Sequence, residues 1–169
     1  MSELAELLER FRRGPEVVAA SLTGAAGAEV DFRPTPEQWS VRQIVAHLAD
    51  AEIVAVFRFR RMLAEENVTI DGYDHEAWAE KLDYSKRKYS NSLETFRRIR
   101  SENFELLKDV PEAEFEARSA THTVRGRMTV LDWLRIYANH AEKHSVQIRR
   151  VRDAWKAHKA AAAASGAAL

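Results

Sequence analysis

The chain has no cysteine. That absence removes disulfides, thiolate zinc sites, iron–sulfur clusters and a cysteine nucleophile, so any thiol chemistry needs a thiol brought in from outside. Net charge is absent too: 26 Lys plus Arg balance 26 Asp plus Glu. A neutral chain has no field to concentrate nucleic acid or an anionic membrane around itself, and neither is expected as a partner. No stretch approaches the roughly 20 apolar residues that span a bilayer. The start, Met1-Ser2-Glu3-Leu4, opens an amphipathic pattern in place of a basic segment followed by an apolar run. A soluble, cytoplasmic protein acting on a small molecule is the expectation. A glycine-rich phosphate loop is missing as well.

What is present is an ordinary globular balance, 46% hydrophobic and 31% charged over 169 residues, enough for one domain with a single sizeable core. The Arg58/Arg60/Arg61, Arg97/Arg98/Arg100 and Arg149/Arg150/Arg152 clusters are interleaved with acids at helical positions and read as solvated faces.

Leu4, Leu7, Leu8 and Phe11 recur at helical spacing, and Val17, Val18 and Leu22 continue the pattern beyond Gly14-Pro15, which should kink or restart the helix. Gly24, Gly27, Pro34 and Pro36 mark a connection ending at Trp39. Ser40 with Gln43 three residues on forms a capping box, so a second helix begins at about Val41, with Ile44, His47, Leu48, Ala51, Val54, Ala55 and Met62 on one stripe. From 67 to 90 the pattern weakens into a long crossover with a short helix near 74 to 81. A third helix starts near Asn91, capped by Glu94, and stops at Pro111. A loop over 111–128 leads to Thr129 and Asp132, another helix start. Trp133, Tyr137, His140, His144, Ile148 and Val151 then step by three or four along the longest helix.

With no strand alternation, the pattern predicts an all-α, antiparallel four-helix bundle with a long crossover between helices two and three. The single domain covers 1–159, and 160–169 forms an alanine-rich tail that should fray.

His140 and His144 stand at i, i+4, so both rings can converge on one ion. Alone, the pair is better explained as core-edge residues making ordinary hydrogen bonds, since the spacing often arises by accident. His47 adds a third imidazole inside an apolar stripe of another helix, where both ring nitrogens would need partners. One divalent ion shared by His47, His140 and His144 satisfies all three, with Asp50 and the Tyr137 phenol as candidate acceptors for the outer ring N–H groups.

Three protein ligands leave coordination positions open to water, thiolate or substrate. Imidazole-only ligation suits zinc, nickel, iron or copper without choosing among them and argues against calcium or magnesium; zinc or nickel is the first expectation, with iron, manganese or copper after them. Tyr73, Trp78, Trp133 and Tyr137 are candidates to line a pocket over the ion; no catalytic acid or base is marked. His75, His122 and His158 read as solvated. His140-Ala141-Glu142-Lys143-His144 lacks the glutamate that follows the first histidine in zincins, and the cysteine ligands that accompany H-x-E in zinc deaminases are missing.

Several of these pieces together resemble the DinB/YfiT-like superfamily. Trp39-Ser40-Val41 is followed by Ile44-Val45-Ala46-His47-Leu48-Ala49-Asp50-Ala51-Glu52. His140, His144, Gln147 and Ile148 match its fourth-helix pattern, and Tyr73-Asp74 with Trp78 is similar to its crossover. The resemblance covers about residues 4 to 155. It implies a bundle that is often a homodimer, a three-histidine metal site on His47, His140 and His144, and activities that include transfer of a low-molecular-weight thiol. The leading expectation is therefore a metal-dependent transferase carrying such a thiol to a small electrophile. The alternatives are a hydrolase activating water at the same ion, a non-catalytic metal- or ligand-binding protein, and an inactive scaffold.

Overall fold

The computed structural model describes residues 2–166. Four long helices carry the fold: α1 (Glu3–Ser21), α2 (Val41–Ala64), α4 (Tyr89–Leu107) and α6 (Val130–Ala164). Between them lie the short helices α3 (His75–Lys81) and α5 (Glu112–Ala117) and the strands β1 (Val68–Ile70), β2 (Ser119–His122) and β3 (Gly126–Thr129). The expected helical bundle is present, and among the described residues no helix is long and apolar enough to cross a membrane.

Both α1 and α2 pack against α4 and α6. Contacts rise together along α1 and α6, from Glu3 with Arg135 through Arg10 with Glu142 to Ser21 with Arg152, so these two helices are parallel. The same holds for α2 and α4, where Arg42 reaches Arg87 just ahead of α4, Glu52 meets Arg100 and Arg60 meets Asn103. Across α2 and α6 the order reverses, His47 meeting His140 and Arg58 meeting Tyr137. The order is thus up-down-down-up, because the long crossover returns the chain to the end from which α2 began.

Local signals place the helix starts. Ser40 and Gln43 form a capping box at α2, Thr129 and Asp132 form another at α6, and Asp74 caps α3 by accepting the Glu76 and Ala77 N–H groups. Among the long helices the exception is α4, which begins at Tyr89 without a side-chain cap instead of near Asn91. Tyr89 packs on the apolar cluster around Ile44 and Phe96 and donates its hydroxyl to the Ala25 carbonyl, so tertiary contact supplies what the expected Glu94 cap does not.

One further expectation is corrected. The 111–128 segment holds α5, β2 and β3, and β2 also pairs in parallel with β1. Strands of three and four residues are too short to register as an alternation, yet Val68, Ile70, Ala120 and Met128 all face the core. Gly126, at φ +75°, makes the turn that starts β3. At the C-terminus, α6 stays helical through Ala164, as alanine's propensity favours. The tail's final residues, 167–169, lie outside the described residues.

Gly14-Pro15 does not restart α1, which runs continuously from Glu3 to Ser21. Pro15 has no N–H for the Phe11 carbonyl, and Arg100 Nη1 donates to that oxygen instead at 3.0 Å. A side chain at position 14 would bring a Cβ within 2.7 Å of Arg100 Nη1 and 2.9 Å of Ala141 Cβ. The glycine–proline pair is therefore a seat for a guanidinium. Arg100 is fully buried rather than solvated: Nη2 pairs with Glu52 at 2.7 Å, and the guanidinium lies 4.0 Å from the Phe11 ring centroid. Asn103 donates to the other Glu52 oxygen at 2.9 Å.

Breaking this buried pair strands a charge, so Glu52→Ala should cost about 3–5 kcal/mol. Arg98→Ala, which removes an exposed, solvent-screened pair on the same helix, should leave stability nearly unchanged. Urea unfolding of both variants measures the difference; similar losses would refute the central role given to Arg100.

Candidate metal centre

Because α2 and α6 are antiparallel neighbours, His47 faces His140 and His144 across the seam. His47 Nε2 and His144 Nε2 each lie 3.0 Å from His140 Nε2. One ligand nitrogen from each of the three rings lies within 4.8 Å of the others. All three rings sequence analysis singled out are thus brought together.

Their protons make the arrangement informative. The Gln147 Oε1 carbonyl, one turn along α6, accepts from His144 Nδ1 at 2.7 Å, which leaves a lone pair on His144 Nε2. His140 Nε2 has either one proton or one lone pair and cannot satisfy both neighbours. Burial pushes the pKa of all three imidazoles down, that of His47 to about 3 with help from the nearby His144 and His75. Neutral rings crowded nitrogen to nitrogen suit a shared cation, since nitrogens around one ion at ~2.0–2.1 Å stand roughly 3 Å apart. His47 Nδ1 is buried without a partner.

The expected acceptors are engaged elsewhere. Asp50 accepts from the Tyr84 hydroxyl at 2.8 Å and from Arg87 at 2.7 Å, pinning the crossover to α2. The Tyr137 phenol accepts from Arg58 Nη1 at 3.3 Å, and burial holds its proton in place by raising its pKa.

A cavity of about 700 Å³ opens beside the triad. Tyr73, Trp133 and Tyr137 line it; Trp78 does not, standing instead against Tyr73 at 4.4 Å between ring centroids and bracing it. Trp39 packs on His47 at 5.0 Å and donates its indole N–H to Glu76, closing one side.

Three residues read as solvated belong to the same wall. His75 places its ring 5.2 Å from that of His47. His122 is buried because the β2 pleat turns it inward, and its Nδ1 accepts from the Val124 and Arg125 N–H groups. Arg58 is buried over the Trp133 ring, 4.2 Å from its centroid. His158 packs outside the site, against Phe32 and Trp155. No local pattern marked these residues; the one available hint was His75 following Tyr73-Asp74.

A four-helix bundle with three inward imidazoles opening on a cavity defines a recognisable class. The DinB superfamily model matches residues 10–148, and the chain belongs to that family. It is 30% identical to YfiT of Bacillus subtilis over 137 residues, 79% of this chain and 77% of that protein. It is 33% identical to a protein of Oceanobacillus iheyensis over 110 residues, 65% of this chain and 63% of that protein, less than two thirds of the relative's length. Both relatives are named as candidate metal-dependent hydrolases. The solved structure of YfiT, described as an unusual four-helix bundle topology, superposes with a TM-score of 0.81 at 23% identity, covering 99% of this chain and 91% of that one.

Buried neutral imidazoles also set a pH dependence. In the unfolded chain these rings titrate near ~6.5, whereas in the fold His47 titrates at about 3. The depressed value makes protonation favour unfolding, so their contribution is present above ~6.5 and lost as pH falls towards the folded pKa. In chelator-treated protein the urea midpoint should fall between pH 7 and pH 4 more steeply than in His47→Phe. Parallel slopes would contradict this.

Proposed function

We propose that the protein is a metal-dependent hydrolase in which His47, His140 and His144 hold one divalent ion, zinc or nickel before iron, manganese or copper. The observation that carries this reading is the meeting of three Nε2 atoms beside an open cavity. Three imidazoles complete only part of a coordination sphere. Bound there, the ion supplies Lewis acidity and makes water a stronger acid.

The chain's own residues do the rest. Gln147 fixes the His144 ring and tautomer, the aromatic wall of Trp39, Tyr73 and Trp133 limits access of bulk water, and His75 stands beside the triad to take up and return a proton. Hydrolysis takes precedence over the thiol transfer expected from sequence, because the relatives' names speak of hydrolysis and no residue around the triad is specific for a thiol.

Elemental analysis of purified protein should find about one transition-metal ion per chain, lost in His140→Ala, with affinity reduced about 10–100-fold in Gln147→Ala. Turnover of p-nitrophenyl acetate should stop on chelation, return with zinc or nickel, and need no added thiol. His75→Gln should keep the metal and lose roughly 10²-fold in rate. Turnover seen only with added thiol would favour transfer; protein that takes up no metal would end both readings.

A further inference from the structure

Away from the His47–His140–His144 triad, the cavity wall gathers hydrogen-bond donors that no carboxylate serves. Arg58 is 7% exposed, and its partners are the Tyr137 hydroxyl at 3.3 Å and the Asp71 carbonyl at 3.1 Å, so no carboxylate is among them. Its Nε is buried with no hydrogen-bond partner. The indole Nε1 of Trp133, whose ring lies under that guanidinium, is equally buried and unpartnered.

His122 adds a third donor. Its Nδ1 accepts two backbone N–H groups, at 3.1 and 3.2 Å, so the proton of the neutral ring is on Nε2. Arg125 and Lys143 also line the cavity, while its one lining carboxylate among the described residues, Glu76, is engaged by Trp39. A buried guanidinium without a counter-charge and an orphaned indole N–H are costly, and a group that only accepts hydrogen bonds would relieve both.

We infer that this part of the cavity is an oxyanion subsite, built on Arg58, Trp133 and His122, which seats a carboxylate or phosphate group of a small substrate whose reacting group lies at the three histidines. As a statement about substrate it rests on the proposed function; the subsite itself needs no metal. Trp133 and His140 are seven residues apart on α6, so the two groups of the substrate lie on the order of 10 Å apart.

Because binding here is independent of the ion, the test uses chelator-treated His140→Ala protein. Succinate and inorganic phosphate are titrated separately, with neutral succinamide as control, and the Trp133 indole N–H is followed by ¹⁵N–¹H NMR, assigned with Trp133→Phe. A saturable shift at millimolar anion is expected, with succinamide silent. Succinate alone shifting the resonance would identify a carboxylate site; both anions would identify a general oxyanion site.

Arg58→Met should weaken anion binding about 10–100-fold. If that variant does not fold, Arg58→Lys, which keeps the charge and loses the planar fork, should weaken it about 10-fold. No saturable shift, an equal response to succinamide, or full affinity in the Arg58 variant would overturn the subsite. Anion binding in this assay combined with a wild-type protein that takes up no metal would sink the hydrolase reading and leave the subsite standing.

Discussion

The buried ion pair between Glu52 and Arg100 is the constraint on which the rest of the structure depends. It draws on every long helix: the carboxylate from α2, the guanidinium and Asn103 from α4, the Phe11 carbonyl freed by Pro15 on α1, and the Tyr137 carbonyl on α6. Apolar residues divide on either side of it, with Leu7, Phe59, Leu107 and Leu134 in one cluster and Val18, Ile44, Phe96 and Ile148 in the other. Apolar packing alone tolerates a helix sliding by a turn. A charge that must find one carboxylate and two carbonyls does not, because a slip would leave it buried and unpaired at a cost of several kcal/mol.

That register places the site. Tyr137, whose carbonyl Arg100 engages, lies one turn before His140, and Glu52 lies five residues after His47. Fixing Glu52 against Arg100 and Arg100 against Tyr137 therefore fixes where His47 meets His140. Rigidity is what a triad needs, since imidazoles must hold their lone pairs on one point within a fraction of an ångström. The crossover is fastened separately, by Asp50 gripping Tyr84 and Arg87. Asp50 thus serves the site by holding the segment that carries Tyr73 and His75 against it, without touching an imidazole.

Charge is distributed unevenly around the cavity despite the chain's neutrality. Most surface arginines have a carboxylate close by, as Arg10 has Glu142 and Arg98 has Glu94. Arg58 has aromatic rings and neutral oxygens instead. A balanced total therefore says nothing about the field inside one cleft, where Arg58, Arg125 and Lys143 line the wall with one carboxylate, Glu76, among the described residues.

By itself the sequence determined what is local: the capping boxes at Ser40 and Thr129, the apolar stripes, the weakly patterned crossover, and the inward phase of His47, His140 and His144. Each is set within one or two helical turns, so neighbours in sequence suffice to specify it. Tertiary structure alone decided what needs a distant partner. Arg100 and Arg58 looked solvated until other helices surrounded them, Gly14-Pro15 looked like a break until a guanidinium filled it, and His122 turned inward only through strand pairing with residues far along the chain. The meeting of the three rings belongs to both: spacing aimed them, but it took the buried ion pair to bring α2 and α6 into the one alignment where they touch.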